Sequence, residues 1–179
     1  MPANLNASGA VDPTIDYILE RLRTYYLDQQ IKVDVYDAVK SQRPTQPNDF
    51  DARVHAVTEF QSEEAAASLA AANKRISNIL KKTDEPIPAE IDRDLLSEDA
   101  ENRLANQVID MASQVKPLIA SREYTAILRL LAGLRDNVDR FFDNVMVNVD
   151  DSRIRQNRLA LLNQLRNLFL DVADISKLQ

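Results

Sequence analysis

The sequence has no cysteine, no tryptophan and only two glycines among its 179 residues. Without cysteine the chain can form neither a disulfide bond nor a thiolate metal site. Gly9 and Gly133 lie far apart, so the chain has no glycine-rich loop that would bind a phosphate or a dinucleotide. The one histidine, His55, has no second histidine or cysteine with which to bind a metal, and no catalytic triad is indicated. We therefore assign no catalytic residue and no metal ligand to this chain.

Long apolar runs and a targeting segment are also missing. No apolar stretch approaches the roughly 20 residues that cross a bilayer, and no secretory signal opens the chain. The lack of cysteine is typical of a reducing compartment. These features predict a soluble, cytoplasmic protein with no membrane partner.

Positive charge is in the minority, since 28 acidic residues outnumber 22 lysines and arginines and leave a net charge of −6. The excess is local, because residues 84–101 carry eight acids and a single base, Arg93. The rest of the chain is slightly positive, and local charge decides whether a phosphate backbone can approach. The net charge therefore does not exclude a nucleic-acid partner, and we interpret the acidic segment as a solvated linker.

What the sequence does contain is helical periodicity. Apolar residues recur at three- and four-residue spacing, which predicts an all-α helical bundle of six or seven helices. We expect a disordered lead-in at residues 1–11, a helical lead-in segment at 12–43 and a helical domain at 48–179. An acidic, proline-containing linker is predicted within that domain at residues 83–96.

The last predicted helix is the one around which the bundle packs. Its apolar stripe covers about half of the helix surface, more than a surface helix shows. The stripe is formed chiefly by Ile154, Leu161, Leu165, Leu168 and Val172. Arg158 projects inside it, with Arg155 and Arg166 on a neighbouring line. A buried arginine needs an anionic partner, which is either Asp139 or Asp143 on the preceding short helix, or an RNA phosphate or base.

A second predicted helix carries positive charge without acids. Between residues 65 and 83 no acidic residue occurs, although surface helices usually mix the two signs. The face opposite the apolar residues collects Lys74, Arg75, Asn78, Lys81 and Lys82. This face is either the solvated end of a helix, where lysines suit the helix dipole, or a surface that contacts RNA.

Several stretches resemble a known family. The runs FFDNVMVNV and NRLALLNQLRNLFLDVADIS near the C-terminus, AANKRISNIL at residues 71–80 and ILERLRTYYLDQ at residues 18–29 are similar to β subunits of bacterial tetrameric glycyl-tRNA synthetases. The similar part of those subunits is their C-terminal, DALR-type anticodon-binding domain, related to that of arginyl-tRNA synthetases. Asp51-Ala52-Arg53 looks like a shortened form of the Asp-Ala-Leu-Arg signature of this class.

The resemblance implies a helical domain that holds the anticodon arm of glycine tRNA, with neither DNA nor a membrane as a partner. It also implies that glycine activation, with its ATP and magnesium, takes place on the α subunit, so that no cofactor is expected on this chain. On this interpretation the tRNA contacts are Lys74, Arg75, Asn78 and Lys81, with Arg155, Arg158 and Arg166 as a second line. The alternative is a helical protein-interaction module that binds no RNA and uses its acidic segment or an apolar face.

Overall fold

The computed structural model describes residues 7–179, with side chains from Tyr17 onward, and within this range it is entirely helical. Two short 3₁₀ helices, Arg93–Leu95 and Ile175–Lys177, accompany the α-helices. The eight α-helices of the described residues are α1 (Ala7–Asp28), α2 (Val33–Lys40), α3 (Pro47–Phe60), α4 (Ala66–Lys81), α5 (Asp99–Ala120), α6 (Tyr124–Ala132), α7 (Arg135–Asn144) and α8 (Ser152–Leu170). The predicted all-α class is confirmed, with slightly more helices than the six or seven expected.

Helix α8 forms the centre of the bundle, as its broad apolar stripe predicts. It begins at Ser152, and the carboxylate of the preceding Asp151 accepts hydrogen bonds from the amides of Arg153 and Ile154 and so caps the helix. Its buried side chains pack against α4, α5, α6 and the first 3₁₀ helix. Each fully buried leucine or phenylalanine contributes about 1.5–3 kcal/mol relative to an exposed one, so this single helix accounts for a large part of the core.

The N-terminal helices share the same core. Tyr36 on α2 is fully buried and donates a hydrogen bond to the carbonyl of Leu19 on α1. Its ring lies 5.5 Å from that of Phe50 on α3. The backbone amide of Asp174, just after α8, donates to the carbonyl of Ala38. Residues 33–40 are thus packed between α3 and the C-terminus of the chain.

The disordered lead-in predicted at residues 1–11 falls in part on residues 1–6, which lie outside the described residues. Helix α1 begins at Ala7, five residues before the start that Asp12 and Pro13 indicate as a cap and first turn. The observed helix therefore extends into the predicted lead-in.

The predicted linker, residues 83–96, is the acidic segment that lies along α8, and it is not exposed to solvent throughout its length. The Asn157 side chain accepts a hydrogen bond from the Asp92 amide at 2.8 Å and donates one to the Asp92 carbonyl at 2.9 Å. Gln164 donates to the carbonyl of Ala89. Three apolar side chains of the segment are partly buried against the core, namely Ile87, Ile91 and Leu96. The segment is therefore attached to the bundle both by side-chain hydrogen bonds from α8 and by apolar contacts with the core.

Candidate nucleic-acid interface

Helix α4 presents a polar face to the outside because its opposite face is held firmly in the bundle. Leu69 and Ile76 are completely buried, and the helix packs against α7, α8 and the 3₁₀ helix Ile175–Lys177. Asn73 is also buried, and its amide donates to the carbonyl of Leu69. Since residues three and four apart share one side of a helix, burial of this side fixes which residues point outward.

The outward side is the basic face of α4, defined as Lys74, Arg75, Asn78 and Lys81, all of which are exposed. Within the part of the chain that the structure describes, none of its three cations lies within 4 Å of a carboxylate. Several arginines on other helices are paired, for example Arg135 with Glu64 at 2.7 Å. The cations of α4 are therefore free to bind an external anion.

A cleft of about 630 Å³ lies beside the N-terminal half of this face, and we call it the lysine cleft. Lys32, Lys74 and Lys177 line it together with Asp34 and Asp37. The Asp34 carboxylate accepts hydrogen bonds from the Gln61 side chain and from the Gln179 amide, each at 2.9 Å. Asp34 is thus hydrogen-bonded within the chain but keeps its charge, and the named side chains of the cleft carry three positive and two negative charges.

A second cleft, of about 380 Å³, lies on the other side of the face, and we call it the loop cleft. One wall is the C-terminal half of α4, and the other is the loop between α7 and α8, residues 145–151. The guanidinium of Arg75 lies over the ring of Phe142 at 4.2 Å from its centroid. The lining residues are Arg75, Ile79, Lys82, Thr83, Val145, Met146, Val147, Asn148 and Leu159.

Two arginines of α8 hold that loop in place by its backbone carbonyls. Arg158 Nη1 donates to the carbonyl of Met146, and Arg155 Nη1 donates to the carbonyl of Val149, both at 2.6 Å. Charge-assisted hydrogen bonds of this kind are stronger than neutral ones. Both arginines therefore shape a wall of the loop cleft from behind.

The partner of Arg158 is Glu101, in the first turn of α5, which corrects the predicted pairing with Asp139 or Asp143. Both members of the pair are buried, with the Arg158 side chain 5% and that of Glu101 0% exposed. Burial raises the pKa of Glu101, but hydrogen bonds from Arg158 and from the backbone amide of Glu98 outweigh it, and the pKa lies below its ordinary value. Asp139 instead accepts a hydrogen bond from Ser68.

The second line of predicted tRNA contacts is not brought together as an exposed surface. Arg158 is buried in its ion pair, so we remove it from the interface. Arg155 pairs with Glu85 of the acidic segment at 2.8 Å and its side chain is 22% exposed. Arg166 is half-buried, and its Nε has no hydrogen-bond partner among the described residues. The acidic segment that lies along α8 thus covers the side on which Arg155 projects.

Arg53, in the shortened signature, joins three elements instead of facing outward. It pairs with Asp49 at 2.9 Å, and its Nη1 donates to the carbonyls of Asp171 and Val172 at the end of α8, each at 2.7 Å. Its Nη2 donates to the hydroxyl of Tyr124 on α6. Arg53 therefore stabilises the C-terminus of α8, where carbonyls lack helical partners.

Sequence reasoning missed the residues that complete both clefts. Lys32 and Lys177 come from opposite parts of the chain, while Met146 and Asn148 follow α4 by more than sixty residues. The same is true of Phe142, which lines neither cleft but packs against Arg75. No local pattern marks them as partners of α4. The exposure of Met146, at 71%, is unusual for a large apolar side chain, but it becomes apparent only in the structure.

No group of three histidine, cysteine, aspartate or glutamate side chains is arranged to hold a metal ion in the described part of the chain. None of the described helices combines the length and the apolar character needed to cross a membrane.

Comparison with known proteins gives a consistent result. The family model of the DALR anticodon binding domain matches residues 69–176, from α4 to the last 3₁₀ helix. The glycine–tRNA ligase β subunits of Pasteurella multocida and Glaesserella parasuis are each 54% identical to the chain over 175 residues, or 98% of its length. That of a Shewanella species is 51% identical over 177 residues. The chain spans about a quarter of the length of these curated relatives, since the match covers 25% of each. The shortened signature at residues 51–53 lies outside the range that the family model matches.

Proposed function

This chain belongs to the DALR anticodon-binding domain family, and on that premise we propose that it is the part of a glycine–tRNA ligase β subunit that holds the anticodon arm of glycine tRNA. The observation that carries the proposal is the basic face of α4. It lies within the range that the family model matches, and its cations have no acidic partner among the described residues.

The residues of this face suit the two kinds of contact that an anticodon arm offers. Lys74 and Lys81 act as point charges on flexible stems, which is how lysines bind phosphates. Arg75 and Asn78 can hydrogen-bond to base edges, and Arg75 can also stack on an unpaired base. The lysine cleft extends the phosphate-binding surface from Lys74 towards Lys177.

The proposal leaves the chemistry to another chain. Glycine activation, with its ATP and magnesium, takes place on the α subunit, to which this chain is linked through the rest of the β subunit. The residues of this chain then contribute binding energy and fix the position of the bound tRNA, so that its acceptor end reaches the distant catalytic site. Holding a substrate far from the reacting atoms contributes to catalysis by orientation.

A titration tests the proposal. We expect the chain to bind glycine tRNA with an affinity that falls steeply with salt, because phosphate contacts release counterions. The same tRNA body with an unrelated anticodon should bind more weakly. Equal binding of the two tRNAs would show a non-specific basic surface, and no binding of either would contradict the proposal.

A protein-interaction module is the second candidate. The observation that favours it is the exposure of Tyr17, Ile18 and Tyr25 on α1, at 60%, 45% and 55%. Exposed large apolar residues on one helix are typical of a contact surface. In the titration this function predicts no tRNA complex at any salt concentration.

A further inference from the structure

The loop cleft is lined by apolar as well as polar side chains, which a surface that binds only phosphates does not need. We propose that it receives one unstacked nucleobase of the anticodon loop, an inference that rests on the function proposed above. Its walls are the C-terminal half of α4 and the loop of residues 145–151.

Arg75 and Met146 supply the stacking surface. The guanidinium of Arg75 is positioned on one side by the ring of Phe142, 4.2 Å from the ring centroid, and Arg75 also lines the cleft. Its orientation is thus restricted before any ligand arrives, and a planar guanidinium stacks well on a base. Met146 is the most exposed large apolar side chain among the described residues, and it lines the same cleft. A flexible thioether packs readily against aromatic rings.

Asn148 supplies the polar edge. It is exposed, and its side-chain amide makes no hydrogen bond within the described part of the chain. An amide carries a donor and an acceptor side by side, which is the pattern that the Watson–Crick edge of a base requires. Lys82 also lines the cleft and has no ion pair among the described residues, so it can bind the phosphate attached to the base.

The floor is apolar and held rigidly. Ile79, Val145, Val147 and Leu159 form it, and the last three are at least nine-tenths buried. Arg158 holds the carbonyl of Met146, so the loop wall is ordered by the bundle core. At about 380 Å³ the cleft falls within the range of about 300–1,000 Å³ that is usual for small-molecule sites.

The charge of the lining favours a nucleobase with its phosphate over a peptide or a free cation. Arg75 and Lys82 are the charged residues that line the loop cleft, and none of the carboxylates in the described part of the chain lines it. The lysine cleft differs, since Asp34 and Asp37 accompany its three lysines and its lining is rich in charge. Base binding at the loop cleft and phosphate binding at the lysine cleft would place the anticodon loop across α4 in one orientation.

The test uses this chain and a hairpin RNA with the sequence of the anticodon arm of glycine tRNA. Three further hairpins each lack the base of one anticodon nucleotide. The Met146→Ala/Asn148→Ala double variant removes two exposed side chains and leaves the backbone contacts of the loop in place. We expect it to bind the intact hairpin about five- to a hundredfold more weakly than the parent, with an unchanged salt slope, because stacking and base hydrogen bonds are lost and phosphate contacts are not.

The hairpins locate the base. One of them should bind the parent at least as weakly as the intact hairpin binds the double variant, and removal of that base should weaken binding much less for the double variant, which keeps only Arg75 as a stacking partner, than for the parent. If the losses from base removal and from substitution simply multiply for all three hairpins, or if the double variant binds like the parent, the cleft holds no anticodon base. Failure of the parent to bind the intact hairpin would instead contradict the proposed function.

Two controls guard against indirect effects. Ile109→Ala removes an exposed apolar side chain of α5 that lines none of the clefts described above, and it should bind the intact hairpin like the parent. Asn148→Ala alone keeps Met146 and should lose part of the affinity. A thermal-unfolding midpoint equal to that of the parent confirms that each variant is folded.

Discussion

The carboxylate of Glu101, in the first turn of α5, accepts a hydrogen bond from Arg158 in the middle of α8, and both side chains are withdrawn from solvent. The same carboxylate accepts hydrogen bonds from the amides of Ser97 and Glu98, the latter at 2.9 Å. Arg158 also donates a hydrogen bond to the carbonyl of Met146. One buried ion pair thus joins the start of α5, the central helix and the wall of the loop cleft.

Breaking this pair from one side should destabilise the protein severely. Arg158→Met retains the apolar stem but leaves Glu101 as an uncompensated buried charge, which costs about 3–5 kcal/mol. Adding Glu101→Gln removes that charge and keeps an acceptor for the cap of α5, so the double variant should recover much of the loss. Urea unfolding of the parent, both single variants and the double variant measures the coupling.

Arg153→Met is the control for this cycle, because Arg153 is an exposed arginine of α8 with no ion pair among the described residues. It should change the free energy of unfolding by no more than about 0.5 kcal/mol. A fully additive cycle would mean that Arg158 and Glu101 do not stabilise each other.

Acid should weaken the fold in part through Glu101. Its pKa is lowered in the folded state, so its ionised form stabilises the fold at pH values above the unfolded-state pKa of about 4.3. That contribution is lost as the pH falls through the lower, folded-state pKa. As the pH falls below about 5, the free energy of unfolding of the parent should decrease more steeply than that of Arg158→Met/Glu101→Gln. Parallel curves for the two proteins would rule Glu101 out as a source of acid sensitivity.

Replacing Lys74 and Lys81 by alanine should weaken tRNA binding and also its salt dependence. Each phosphate contact that is lost should flatten the slope of log affinity against log salt by about 0.7 on single-stranded RNA. Lys116→Ala removes an exposed lysine of α5 that has no ion pair among the described residues, and it should leave the slope unchanged. Weaker binding with an unaltered slope would indicate that the two lysines act through the end of α4 and not on phosphates.

Asn157→Ala should release the acidic segment from α8. Two hydrogen bonds to Asp92 are lost, each contributing about 0.5–1.5 kcal/mol, so amides of residues 84–95 should exchange about tenfold faster or more. Asn163→Ala, on the same helix and without a side-chain hydrogen bond in the described part of the chain, should leave this exchange as in the parent. Hydrogen exchange followed by mass spectrometry measures both, and unchanged protection in Asn157→Ala would locate the attachment of the segment elsewhere.

This chain alone should not attach glycine to tRNA. The sequence contains no phosphate-binding loop, no cysteine nucleophile and no recognisable synthetase motif for ATP or amino-acid activation. Incubation with ATP, magnesium, glycine and glycine tRNA should give no more glycyl-tRNA than a reaction without protein. Product above that level would place catalytic groups on this chain.

Local patterns in the sequence determined the helical class, the central position of α8 and the unmixed charge of α4. All three depend on residues three and four apart, whose relation a helix fixes regardless of the rest of the fold. The sequence also predicts that Arg158 has an anionic partner, because an arginine within a buried apolar stripe is strongly destabilising when it is unpaired. A structural role for Arg158 was therefore one of the two expected outcomes, the other being a contact with RNA.

Only the tertiary structure determines which carboxylate pairs with Arg158. Glu101 is one of 28 acids and lies 57 residues from Arg158, so no spacing rule selects it over Asp139. The docking of the acidic segment on α8 and the meeting of Arg75 with Phe142 have the same origin. Each depends on how one helix crosses another, and that crossing is set by side-chain packing summed over the whole core rather than by any single stretch of chain.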